Sequence, residues 1–536
     1  MHSQTFLPIL ATLSCYGLFH VLQFMYRRLS FPLRHVAGPR SPSLIFGNFR
    51  EMMSDPQLIH KWTNEYGRNF LFKGLFSITE LHTSDIKAVA HILNNTVIYH
   101  RTQYTRDNRR RLFGDGILSL EMEDHKRQRR ILNQAFGVAQ VRLMTEGFVE
   151  KSIQLRDIWA TQITEGAPID VFSWLGRMTL DVIGKEGFNY HFGALDVKGK
   201  PSELNLAMND LLHSPNATRN FGFRLAQSIL AEAISPILSL LPVPGNKAAV
   251  AAREKMDDIA GRIVSETKGT IKALAGEKNL NGRKDLLSVL LKSNLSTDLP
   301  ENQRMSDAEV VSQIPGFFLA GHETTSSAVS WALHALSLNT AVQSKLREEL
   351  FAVSTENPTM DDLNSLPYLD NVVRETLRVH SPVVFVDRQA TEDDVLPLSQ
   401  PYIDKQGKSH DSLPIPKGQI VYISITGVNT DKDIWGDDAN IFKPERWDHI
   451  PDAVNGVPGV WANLLSFLAG PHNCIGFRFS LVEIKALLFT LIRAFEFKPA
   501  QEIGATSGLL QRPKVLSATD KGSSLPLIVT PYVPGY

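Results

Sequence analysis

The stretch "FLAGPHNCIGFRFSLVEIKALLF", Phe467–Phe489, decides how the chain reads. Its cysteine, Cys474, is one of only two in 536 residues. The loop "AGPHN" turns sharply, and the segment from Gly476 onward is apolar at helical spacing on almost every face, which predicts a buried helix. A cysteine at that junction lies near a helix N-terminus, where free N–H groups and the dipole favour a thiolate over a thiol. The plain alternative is a small core residue, because free cysteines are among the most buried side chains. The rest of the chain has to choose between a reactive cysteine and a packed one.

Upstream, "SDAEVVSQIPGFFLAGHETTSSAVSWALHAL" opens with Ser306 and, three residues on, Glu309, a capping-box pattern before a long apolar helix. Pro315, Gly316 and Gly321 interrupt it, and "HETT" then offers no apolar residue at mid-length, the mark of a site. A zinc-protease reading of His322-Glu323 needs a histidine at 326, where Ser326 stands. In "LPYLDNVVRETLRVHSP", Glu375 and Arg378 share a helical face among apolar neighbours. A buried pair of that kind needs further partners, and Arg446 of "FKPERW" is a candidate third member. "EMEDHKRQRRILNQAF" puts His125 and Arg129 on one face, either to bind an anion or as an exposed basic helix end. "VVFV", Val383–Val386, reads as an extended segment with Arg388 just after it, again facing an anion or the surface.

Lys+Arg and Asp+Glu balance at 56 each, so no net field draws the chain to nucleic acid. Hydrophobic residues make up 43% and charged ones 21%, enough for a substantial core. With two cysteines no disulfide framework is expected. Phe6–Tyr26 contains no Asp, Glu, Lys or Arg, and at about 1.5 Å per residue it can span roughly 30 Å of hydrocarbon. Arg27, Arg28 and Arg34 follow it, which puts the downstream chain in the cytosol. A cleaved signal peptide is the rival, but it calls for a basic start and a shorter apolar run. The chain thus divides into a membrane anchor over 1–27, a hinge over 28–48 stiffened by Pro39 and Pro42, and a single large domain over 49–536. Asn94, Asn216 and Asn294 begin Asn-x-Ser/Thr triplets that a cytosolic domain leaves unmodified. Gly407-Lys408-Ser409 lacks the upstream glycine of a phosphate loop, Tyr402 standing there, and no G-x-G-x-x-G occurs. Redox chemistry here takes its electrons from another protein.

"FLAGPHNCIG" resembles the heme-binding loop of the cytochrome P450 family, with Phe467, Gly470, Cys474 and Gly476 in place. "AGHETT" resembles that family's oxygen-activation segment, "ETLR" its Glu-x-x-Arg pair and "PERW" the segment that completes that network; the matches occur in the family's order and span nearly the whole chain. The overall flavour is similar to fungal members. The resemblance implies a mainly α fold with small β-sheets (α+β), preceded by one transmembrane helix. It makes Cys474 the thiolate ligand of heme b iron, favouring O–O cleavage. Glu323 and Thr324 would manage proton delivery, Glu375, Arg378 and Arg446 would be structural, and His125, Arg129, Arg388 and His472 would contact the heme propionates. His125 stands where the family usually has Trp, and His472 where it has Arg; both can still donate a hydrogen bond. The implied reaction inserts one atom of O₂ into a lipophilic molecule such as a terpenoid, fatty acid or aromatic, in secondary metabolism. NADPH would act through the flavins of a separate NADPH–cytochrome P450 reductase, with cytochrome b5 as a second donor, at the endoplasmic reticulum membrane. The substrate region would comprise the Arg101–Glu121 loop, "AQSILAEAISPILSLLPVPG", "VVFV" and "SGLLQRP" near Leu509. The alternative is a heme-thiolate isomerase or dehydratase that rearranges a peroxide without a reductase.

Overall fold

The computed structural model describes residues 30–533 apart from position 165, most of 197–245, and 275–284, 296–303 and 519–521. The anchor expected over 1–27 lies outside the described residues, as does nearly all of the apolar segment 226–245. Among the described residues no helix is long and apolar enough to cross a membrane.

Seven helices position the site: α1 Gln103–Phe113, α2 Met122–Leu132, α3 Val138–Gln162, α4 Val171–Val182, α5 Asp307–Leu338, α6 Pro367–Val379 and α7 Phe477–Ala494. The α5 N-terminus carries the expected capping box, with Glu309 N–H donating to Ser306 Oγ at 3.2 Å and Ser306 N–H to Glu309 Oε2 at 2.8 Å. The helix runs on through Pro315 without a break in assignment. Helices α3, α4, α5 and α7 bury Phe148, Trp159, Met178, Phe318 and Leu487 in one helical core.

A second core lies against a five-stranded sheet of β1 Asn69–Lys73, β2 Thr79–Thr83, β3 Tyr99–His100, β4 Phe385–Ala390 and β5 Ile420–Ser424, in the order β1-β2-β5-β4-β3. β2 and β5 pair parallel although more than 300 residues separate them, and the other pairs are antiparallel. The remaining sheets are small antiparallel ones: Asp394–Ile403 with Ser409–Ile415, Ile503–Ala505 with Pro513–Val515, and Pro168–Asp170, Pro526–Pro531 and Phe495–Pro499. The segment before Cys474 joins the two cores, with Phe467 packed in the helical one and Leu464, Leu465 and Ala469 in the sheet one.

Two expectations need correction. Arg388 does not follow a strand at Val383–Val386; it sits within β4, whose alternating burial turns Val386, Arg388 and Ala390 inward. The Arg101–Glu121 stretch is not a plain loop. Thr102 caps α1 through its hydroxyl, which accepts from Thr105 N–H, and only the residues after Gly114 form a loop.

Candidate active site

The backbone of the cysteine loop is closed on itself. Cys474 N–H donates to Phe467 O at 2.9 Å and Asn473 N–H to Gly470 O at 3.1 Å. Gly470 has φ +68°, and a Cβ there would stand 2.2 Å from Leu93 O, so the turn needs glycine. Gly476 is the N-cap of α7, and Phe467 packs edge-on to Trp461, ring centroids 5.7 Å apart. The Cys474 side chain is exposed at its surface and yet deep in the fold, which puts Sγ on the wall of an interior space. Burial pushes its thiol up, while the Gly476 N–H and the Arg129 guanidinium pull it down.

Around this loop the chain gathers cations. Arg129 on α2 donates through Nη1 to Asn473 O and through Nη2 to Asn473 Oδ1, both at 2.5 Å, and through Nε to Asn133 Oδ1 at 2.9 Å. Two of its three nitrogens thus pin Asn473, the residue next to Cys474, while the third is held by Asn133 on its own helix end. His125, four residues earlier, is buried and meets His472 edge to face at 4.1 Å. Burial, with Arg101, Arg129 and Arg388 nearby, pushes His125 down to about 3, and burial with the same kind of cationic company pushes His472 down as well. Both imidazoles are therefore neutral donors.

Two arginines not singled out in the sequence complete the cluster. Arg101 donates to Glu121 Oε1 at 3.0 Å and to Leu120 O at 2.9 Å; Arg109, on α1, donates to Leu118 O at 3.1 Å. The only signal for them was the arginine density of "RTQYTRDNRRR", which a solvated helix would share. Arg388 donates to Asp387 O at 2.7 Å, but its Nε is buried without a hydrogen-bond partner, as is His472 Nδ1. Burial and mutual repulsion push Arg109 down to about 9 and Arg388 to about 10. Three guanidiniums, Arg101, Arg109 and Arg388, face the two carboxylates Glu121 and Asp387, and Arg129 adds a fourth on the side of His125 and Cys474. Asp387 is itself held by the hydroxyls of Thr102 and Thr105. The excess of two positive charges beside a cysteine fits one ligand with two acid groups and a thiolate-binding metal, which is the chemistry of heme.

The polar turn of α5 carries Glu323 and Thr324. Thr324 Oγ1 donates back to Ala320 O at 2.7 Å, and Thr179 of α4 donates to His322 O at 3.1 Å. Thr325 shares a 2.6 Å hydrogen bond with Ser480 of α7, so the polar turn of α5 and the helix behind Cys474 meet there. Glu323 is buried and ion-paired to Arg512, a partner not foreseen from the sequence.

The expected structural network is assembled away from this space. Arg378 grips Glu375 with two 2.8 Å bonds, neither side chain having any solvent exposure. Arg446 reaches Glu375 at 3.4 Å and Asp438 at 2.6 Å, and Trp447 Nε1 adds a bond to Glu375 at 3.1 Å. Arg378 also donates to the carbonyls of Asn429 and Ile441, at 3.0 and 3.2 Å, tying α6 to the segment that leads to the cysteine loop.

A cysteine at the head of a buried helix, a cationic cradle beside it and a polar helix turn bonded to the same helix are the parts of a heme-thiolate site. The chain belongs to the cytochrome P450 family, whose model matches residues 37–519. It is 46% identical over 513 residues to cytochrome P450 monooxygenase 205 of Postia placenta, covering 94% of this chain and 93% of that one. It is 44% identical over 536 residues to cytochrome P450 monooxygenase 128 of the same fungus, covering 98% and 97%. A ganoderic acid synthetase of Ganoderma lucidum is 34% identical over 492 residues, covering 87% and 88%. The protein is thus a fungal-type heme b oxidoreductase that incorporates molecular oxygen.

Proposed function

We propose that this enzyme inserts one oxygen atom from O₂ into a lipophilic small molecule of secondary metabolism, a terpenoid, fatty acid or aromatic. NADPH supplies the electrons through a separate NADPH–cytochrome P450 reductase, with cytochrome b5 as a second donor. The observation that carries the reading is the doubly positive excess around Cys474 and His472, with a buried Arg388 nitrogen lacking a partner. When bound, heme supplies the activation of O₂. Cys474 holds the iron as a thiolate, and the Gly476 N–H and Arg129 offset part of the sulfur's charge. Arg388, Arg101, Arg109, His125 and His472 hold the two acid groups. Arg129 acts mainly through Asn473, fixing the loop. Thr324 and Glu323 hold and pass protons on the opposite side.

The apolar Val383 and Leu510, bridged to each other, join two of the segments expected to line the substrate space, and their apolar character suits a water-poor pocket. The charge-free run Phe6–Tyr26, trailed by arginines, supports a single-pass anchor in the endoplasmic reticulum with the catalytic domain facing the cytosol.

Turnover under ¹⁸O₂ tests this, with NADPH, a reductase and a panel of terpenoids, fatty acids and aromatics, beside a Cys474→Ser control. One labelled oxygen in a product absent from the control is expected. Unlabelled product formed without NADPH would replace monooxygenation with peroxide rearrangement.

A further inference from the structure

A groove of about 820 Å³ lies beside the cysteine loop, where α3, α6 and α7 meet. Val138 and Val141 of α3, Trp461, and Phe477 and Leu481 of α7 give it an apolar lining. Trp461 and Phe477 both pack on Phe467, their ring centroids 5.7 and 6.0 Å from it. Val138 and Val460 keep 49% and 36% of their surface exposed, so the groove opens to solvent. None of the residues proposed to hold heme or to move protons lines it, which makes it separate from the site described above.

The charges in this groove do not balance. Arg374, Arg478 and Lys485 line it against a single carboxylate, Asp370. Asp370 is already divided between two of them, 2.9 Å from Lys485 Nζ and 2.6 Å from Arg374 Nη2. Lys485 also donates to Asn364 Oδ1 at 3.0 Å and is 6% exposed, so it is committed to the fold. Arg478 is left over. It is exposed, its guanidinium carbon is 4.3 Å from the centre of the Phe477 ring, and no carboxylate lies in ion-pair range of it among the described residues. Arg374 Nε, in the same groove, is buried without a hydrogen-bond partner.

One unpaired guanidinium above an apolar lining matches a ligand with one acid group and a hydrocarbon body. A dianion is disfavoured, because Asp370 stands in the same wall. The volume falls within the range of small-molecule sites, about 300–1,000 Å³. We propose that this groove binds an amphipathic monocarboxylate, a long-chain fatty acid, at a second site outside the substrate space. Arg478 takes the carboxylate in its fork, and Val138, Val141, Phe477 and Leu481 take the chain. The occupant touches the two rings that pack on Phe467, whose carbonyl accepts from Cys474 N–H, and so meets the cysteine loop from outside the heme site.

The test uses the full-length, heme-loaded protein saturated with an azole that coordinates the iron and fills the substrate space. Calorimetric titration with dodecanoate then reads the groove alone, beside dodecanol as the uncharged probe. One dodecanoate per protein is expected, with dodecanol at least tenfold weaker, the scale of a charge-assisted pair. Arg478→Glu should weaken dodecanoate by about tenfold or more, and Arg478→Lys should recover part of the loss. Val138→Asp should weaken it as well, while Arg262→Glu, an exposed charge reversal on another helix, should leave it unchanged. Val138 and Arg478 are both exposed, so their variants keep the fold. No saturable site with the azole bound, equal affinity for dodecanol, or an affinity indifferent to Arg478→Glu would overturn the proposal. Should dodecanoate find no site while a reductase binds in an Arg478-dependent way, the groove belongs to a protein partner and the proposal is likewise overturned.

Discussion

Arg388 carries the sharpest consequence at the residue scale. Without a dianion it is a buried cation among cations, held down to about 10 by burial and by Arg101. Arg388→Gln should therefore raise the melting temperature of the heme-free chain. With heme bound the sign reverses: losing one partner of a buried charge pair costs about 2–5 kcal/mol, so heme should leave the variant faster by at least tenfold. Heme transfer to a scavenger protein, beside melting curves of both forms, checks the reversal.

His82 has no such partner to gain. It is fully buried, stacked 4.2 Å from Phe70, and burial pushes it down to about 3. On acidification the unfolded chain binds a proton from about pH 6.5 that the folded chain refuses until far lower, so stability is lost as pH falls through that window. Replacing His82 with Phe should flatten the acid limb by up to one proton, about 1.4 kcal/mol per pH unit. Urea unfolding at stepped pH measures it.

Elements show best what could be read in advance. The i,i+3 spacing of Glu375 and Arg378 announced a shared face, and "PERW" supplied Arg446, because a buried ion pair must find partners and few candidates exist. Trp447 and the Lys443 N–H, which also bond Glu375, were not legible, since only the folded approach of their turn to α6 brings them there. The same applies to Arg101 and Arg109. The polar composition of α1 reads as surface, and its inward turn depends on Thr102 and Thr105 seizing Asp387 of a strand more than 280 residues away. Either Glu375→Gln or Arg378→Met alone should cost about 3–5 kcal/mol, and the two together less than their sum, because the double change leaves fewer uncompensated charges. Thermal unfolding of the four forms completes that cycle.

For the whole molecule, the position of the cysteine loop between a helical and a sheet core explains why so sparse a thiol content still places one here. Both cores hold the loop, through Phe467 on one side and Leu464, Leu465 and Ala469 on the other. The helical half was readable from capping and apolar period around Ser306 and Phe477. The mixed sheet was not, because its parallel β2–β5 pairing is long-range and leaves no local pattern. If the proposed anchor holds, removing residues 1–27 should shift the protein from the membrane to the soluble fraction of a cell lysate with heme content retained, since every residue proposed to hold the heme lies downstream of position 100.

The central claim is that Cys474 is a thiolate ligand to heme iron, and X-ray absorption at the iron edge reads it most directly. The wild-type protein should show a sulfur neighbour to iron that is absent from heme-loaded Cys474→Ser. Iron surrounded only by nitrogen and oxygen in the wild type, or a sulfur neighbour that persists in the variant, would contradict the account.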